Sequence, residues 1–143
     1  MLRASSVPSK KVGRQPRGAR PVNAAVLAVT VDRETRDVLL ELAVAEGFGL
    51  RCVATFGEAT AIIGREAPGL LLVDLDLPAG GSAAFLRSFR KGPHGDVACM
   101  ALTATNDPML AVSIDAPVFY KPDLDGIQGA LEHLFWPDGA VDR

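Results

Sequence analysis

The sequence predicts an α/β domain built on a doubly wound, five-stranded parallel sheet. Three observations predict it. The run GLLLVDLDLP, Gly69 to Pro78, is a short uninterrupted apolar stretch closed by turn formers, the pattern of a strand buried on both faces. Apolar, β-prone runs alternate along the chain with segments of helical periodicity, which implies parallel strands joined by right-handed crossovers. Asp74, Thr103 and Lys121 each fall at the end of an expected strand, and such ends line the ligand crevice of open α/β sheets.

The first strand is expected over Ala24 to Val31, AAVLAVTV. Asp32 then caps a helix reaching about Glu46, with Glu34 and Asp37 early, where carboxylates suit the helix dipole. Val38, Leu39, Leu42 and Ala45 form its buried stripe and Gly47 stops it. Leu50 to Thr55 is the second strand, and Gly57 to about Glu66 the second helix, with Ala59, Ile62 and Ile63 inward. The central strand ends by Pro78, which has no N–H for a sheet ladder. Gly80 and Gly81 make a turn, and Ser82 caps a helix to about Arg90 that packs through Ala83, Phe85, Leu86 and Phe89. The loop from Gly92 to Gly95 leads to a fourth strand, Val97 to Thr103. Asn106, Asp107 and Pro108 can start another helix, but a crossover needs at least ~10–12 residues including its helix, so this one is short or absent. Val118 to Tyr120 is a short fifth strand closed by Lys121–Pro122. The last helix runs from about Asp125 to Phe135, with Ile127, Ala130, Leu131, Leu134 and Phe135 on one stripe.

The organisation expected is a basic leader at 1–22, a domain at 23–136 and a tail at 137–143. The leader holds six basic residues and no acid, against nine basic and seventeen acidic in the rest. Its Pro, Gly, Ser and Arg content reads as disorder, and the acidic body argues against direct DNA binding. No stretch approaches the roughly 20 apolar residues of a membrane span. The basic start lacks the apolar segment of a signal peptide. Cys52 and Cys99 lie in expected strands and read as reduced, buried thiols, so a cytoplasmic location is expected. His94 and His133 have no neighbouring ligand set and read as surface residues.

An ionised Asp74 at the end of a buried strand is costly unless it faces a crevice or a cation. Together a carboxylate, a hydroxyl and an ammonium suit phosphoryl transfer: attack, hydrogen bonding and charge pairing. On Asp74 with Pro78 four residues later, on LTAT from Leu102 to Thr105, on Lys121–Pro122, and on Arg36 in the first helix, the chain resembles the receiver domain of bacterial response regulators from about Ala24 to Phe135. The resemblance implies the flavodoxin-like strand order 2-1-3-4-5. It implies a sensor histidine kinase or phosphotransfer protein as partner and Asp74 as phosphoacceptor. Lys121 would contact the phosphate, Thr103 would be the switch hydroxyl, and Mg²⁺ would be held by Asp74 and the backbone carbonyl of Asp76.

Departures from the pattern accompany it. The resemblance implies two adjacent acids after the first strand to hold Mg²⁺; Thr30 and Val31 stand there, with Asp32 one place further on. Threonine offers one neutral oxygen and valine none, whereas Mg²⁺ is usually bound through carboxylates. Asp32 would serve the metal only after a one-residue slip. Val118 stands where an aromatic is expected, with Phe119 one place off, and the segment from Thr103 to Lys121 is shorter than implied. Met109, Leu110, Val112 and Ile114 form an apolar patch if they do not fold onto the sheet, and a homodimer through 106–120 is the expectation.

Asp74 is thus read either as a phosphoacceptor or as a silent carboxylate paired with Lys121. The leading expectation is a single-domain divergent receiver in a phosphorelay. The alternative is a docking or dimerisation module that works without phosphorylation, and neither is an enzyme. DLDLP is also similar to the nucleophile motif of haloacid-dehalogenase-type phosphatases, with Asp74 attacking and Asp76 as acid/base. That motif lies on the first strand and is followed by a distant acidic pair. Here two strand–helix units precede it and no strand-end pair follows.

Overall fold

A computed structural model describes residues 25–105, 107, 109–121 and 125–135. The expected leader and tail, with Asn106, Pro108 and Pro122, lie outside the described residues. Residues Ala25–Leu124 form one compact unit, which holds the whole sheet. The described residues Asp125–Phe135 belong to a second unit.

Among the described residues strands and helices alternate: β1 Ala25–Val29, α1 Arg33–Glu46, β2 Gly49–Val53, α2 Phe56–Arg65, β3 Leu70–Asp74, α3 Ser82–Lys91, β4 Ala98–Thr103, α4 Met109–Ile114, β5 Val118–Tyr120 and α5 Asp125–Phe135. All pairings are parallel and the order is β2-β1-β3-β4-β5, as expected. β3 is the central strand and is buried throughout. One face of the sheet, with Leu27, Val29, Leu71, Val73 and Cys99, packs on Ala59 and Ile63 of α2, Leu86 of α3 and Ile114 of α4. Side-chain alternation sends Val26, Ala28, Leu70 and Leu72 to the other face, where they are also buried.

Several local expectations are corrected. Asp32 occupies the N-cap position of α1, but its carboxylate makes no capping bond to the helix; it accepts instead from the Thr35 hydroxyl at 2.6 Å. The buried stripe of α1 is Thr35, Leu39 and Ala43, whereas Ala45 is exposed. The second strand stops at Val53 because Thr55 caps α2 in a reciprocal capping box with Glu58. Ser82 is the first residue of α3 rather than its cap; Gly81, at φ 86°, holds the cap position, a left-handed conformation that glycine adopts without steric cost. Other expectations hold. Gly47 ends α1 at φ 81°, its N–H donating to the Ala43 carbonyl. α4 is reduced to six residues, and α5 runs over Asp125–Phe135 with Ile127, Leu131 and Phe135 buried.

Candidate functional site

The register places the site. Val29 pairs with Val73, so Thr30 follows at the level of Asp74. Asp74 pairs with Leu102 and Thr103 with Tyr120, which brings Lys121 to the same rim. In parallel strands residues at one level share a face, and the Thr30 hydroxyl accordingly donates to Asp74 Oδ2 at 2.6 Å. The Lys121 Nζ lies 2.9 Å from the same oxygen. Asp74 Oδ1 accepts the Asp76 amide at 2.8 Å. Asp74 is only 2% exposed, and its two oxygens thus take a cation, a hydroxyl and an amide. The Ser82 hydroxyl donates to its backbone carbonyl at 2.8 Å, tying α3 to the strand end.

Lys121 is shared. Its Nζ is 3.1 Å from Asp76 Oδ2 and 3.7 Å from Asp32 Oδ2, and its side chain is 13% exposed. Burial alone would lower the Lys121 pKa, but hydrogen bonds to Asp74 and Asp76 outweigh it and hold the ammonium above its ordinary value of 10.5. Asp76 is partly desolvated, which would raise its pKa. The Ala104 amide, Lys121 and the Thr103 hydroxyl together carry it below 3.8. Asp32 is likewise lowered, chiefly by the Thr35 hydroxyl, with Lys121 assisting against partial desolvation.

Of the residues the sequence singles out, Asp74, Asp76, Lys121, Thr30 and Asp32 therefore come together at one rim, where Asp32 faces Lys121 at 3.7 Å. Thr103 is at the rim but engaged elsewhere. Its hydroxyl donates to Asp76 Oδ1 at 3.0 Å and accepts the Thr105 amide at 3.0 Å. Val31 is exposed on the surface. The side chain of Asp76 is what sequence reasoning missed: beyond a turn acid or a carbonyl ligand, its carboxylate bridges Thr103, the Ala104 amide at 2.7 Å and Lys121. The two-residue spacing of the acids in DLDLP marks Asp76 but not its partners, which arrive from the end of β4. His94 is half-buried in its loop and His133 exposed on α5. Both cysteines are free, and burial pushes their thiols up.

The donors do not fit a divalent metal. Each carboxylate oxygen that faces the rim centre already accepts a protein donor, and the ammonium lies at that centre. Thr30 is no spare ligand, since its oxygen donates to Asp74 and accepts the Asp32 amide at 3.1 Å. Among the described residues no group of three or more His, Cys, Asp or Glu side chains is arranged to hold a metal ion.

No protein-family model matches this sequence, and no curated protein does. Solved structures do. The beryllofluoride-activated NtrC4 receiver domain dimer is 19% identical at a TM-score of 0.70, covering 78% of this chain and 96% of its own. The receiver domain of the Saccharomyces cerevisiae response regulator Ssk1, crystallised with the histidine phosphotransfer protein Ypd1, is 22% identical at 0.65, covering 84% and 94%. The Mn(2+)-bound form of response regulator Rcp1 is 15% identical at 0.63, covering 83% and 96%. The chain therefore has the receiver fold, in a divergent sequence. Among the described residues no helix is long and apolar enough to cross a membrane.

Proposed function

We propose that this chain is a receiver-fold docking module of two-component signalling that presents its surface without being phosphorylated on Asp74. One observation carries the reading: Asp74 is buried and engaged on both oxygens, by the Lys121 ammonium and the Thr30 hydroxyl on Oδ2 and by the Asp76 amide on Oδ1. A nucleophilic carboxylate needs a free lone pair facing the phosphoryl donor, and metal supplies much of the charge stabilisation of that transfer. On this reading the buried Asp74, engaged on both oxygens, offers a phosphoryl donor little approach, and the Lys121 ammonium occupies the place of a metal.

Sensor histidine kinases or phosphotransfer proteins are the partners this reading implies, with the first helix around Arg36 to Leu42 as the docking surface. Its setting is the cytoplasm, in keeping with two free thiols. Intact-mass measurement after incubation with acetyl phosphate and Mg²⁺, alongside Asp74→Asn, tests the proposal. The expected result is no added phosphoryl group and undiminished binding of Asp74→Asn to a cognate phosphotransfer protein. A gain of one phosphoryl group that vanishes in Asp74→Asn would establish the phosphoacceptor reading instead.

A second surface supports self-association through 106–120. Ile114 of α4 is buried in the core, but Met109 is 62% and Val112 72% exposed, with Tyr120 at the sheet edge beside them in sequence order. Sedimentation of the wild type and Val112→Glu tests it. A dimer that the substitution dissociates supports the surface, and a wild-type monomer at high concentration removes it.

A further inference from the structure

We infer that the Lys121 ammonium is the resident cation of the rim, a covalently tethered substitute for the divalent ion that the receiver resemblance implies. The inference deepens the reading of the rim as closed and does not depend on which partner docks. Three carboxylates, Asp74, Asp76 and Asp32, lie 2.9, 3.1 and 3.7 Å from one nitrogen. They come from the ends of β1 and β3, whereas the lysine comes from the end of β5. Asp74 ends β3 and Asp76 lies in the turn just beyond it, so the ammonium joins three separate strand ends, as a bridging metal would.

Displacing it is unfavourable on two counts. Lys121 is mostly buried, and pushing it off its partners would leave a desolvated ammonium without a counter-charge. The incoming ion would also have to break the donors already on the carboxylates, from Thr30, Thr35, Ala104 and the Asp76 amide. One ammonium does not neutralise three carboxylates. The surplus charge rests on Asp32 and Asp76, the two members that water reaches. Thr30 completes the substitution. Where an acid would demand a second positive charge, the Thr30 hydroxyl donates a hydrogen bond to Asp74 and asks for none.

The test is divalent dependence. Wild type and Lys121→Met are unfolded thermally in EDTA, and in MgCl₂ or MnCl₂ with KCl matched for ionic strength; bound Mn²⁺ is counted by electron paramagnetic resonance. The wild type should show no midpoint shift beyond the KCl control and no bound Mn²⁺. Lys121→Met, with the carboxylates left uncompensated, should have a lowered midpoint in EDTA that Mn²⁺ restores saturably. That restoration should be lost in Lys121→Met/Asp76→Asn.

One Mn²⁺ bound by the wild type and abolished by Asp74→Asn overturns the inference, as does a folded Lys121→Met that ignores Mn²⁺. If Lys121→Met folds under neither condition, the wild-type Mn²⁺ count decides alone. Phosphoryl uptake is read by mass and divalent binding by resonance, so a failure of one reading is distinguishable from a failure of the other.

Discussion

Replacing Lys121 by methionine keeps the length of the side chain and removes the ammonium that three carboxylates share. A pair of unit charges 4 Å apart is worth about 4 kcal/mol at an effective dielectric of 20, but desolvation of both ions cancels much of that attraction. The state left behind therefore sets the cost. Asp74 stays 2% exposed and keeps the Thr30 hydroxyl and the Asp76 amide, but has no counter-charge. Removing one partner of a buried pair costs ~3–5 kcal/mol, and the two surviving hydrogen bonds favour about 3. Asp76 and Asp32, about a third exposed, turn to water and add little.

Asp74→Asn is the comparison. It leaves Lys121 paired with Asp76 and Asp32 and should cost about 1–2 kcal/mol. With both charges gone, the double variant should cost less than the sum of the two singles by about 2 kcal/mol. Urea unfolding followed by circular dichroism reads all three. With a slope of ~1–1.5 kcal/mol per molar, Lys121→Met should lower the midpoint by about 2–3 M. A midpoint within about 0.5 M of wild type, or strictly additive effects, would refute the buried-pair account.

The remaining predictions concern the network around that pair. Thr30→Val keeps the shape but removes the donor to Asp74 and the acceptor of the Asp32 amide; by urea unfolding it should cost ~1.5–3 kcal/mol, as for hydrogen bonds to charged groups. Asp76→Ala strips the Ala104 amide of its acceptor, so exchange of that amide, read by NMR, should speed up roughly tenfold or more, while amides in β3 keep their rates. Because Asp76 is lowered below 3.8, its stabilising contribution is present above that value and is lost as pH falls through the folded one; the raised Lys121 contributes below 10.5 and loses its share as pH rises through its folded value. A denaturation midpoint plotted against pH should therefore be flat between these limits and fall on both sides, and Lys121→Met should lose the alkaline fall. Thr55→Ala breaks the capping box and should cost about 1 kcal/mol, seen as a lowered thermal midpoint.

How much of this was legible depends on the range over which each signal acts. β3 and β4 could be read because a buried parallel strand is a continuous apolar run, and proline and glycine mark where such runs end. The shortening of α4 followed from residue count alone. What failed was local. The buried stripe of α1 moved to Thr35 and Ala43 because a threonine can be buried at the start of a helix when its hydroxyl has a carboxylate to donate to. Ser82 reads as a cap, but the chain turns one residue earlier at Gly81, and its hydroxyl is spent on Asp74. At the site the strand ends brought Asp74 and Lys121 together as expected. The bridging role of Asp76 could not be read, because it needs the Ala104 amide and the Thr103 hydroxyl to arrive from another strand.

The same bridging bears on whether the rim can switch. In the receiver resemblance Thr103 is the group that reports the state of the aspartate, and to do so its hydroxyl must be free to move toward it. Here that hydroxyl donates to Asp76, and Asp76 is itself held by Lys121, which in turn holds Asp74. Shifting Thr103 therefore breaks a charge-assisted hydrogen bond and exposes a carboxylate that the Ala104 amide also secures. Each such bond is worth more than a neutral one. A ligand shifts a two-state equilibrium only by its differential affinity for the two states. On the docking reading proposed above, Asp74 is held by the rim's own donors and supplies no such difference. If the proposed docking reading holds, a partner meets one surface, and control over the complex would rest with the amount of the chain or the state of the partner.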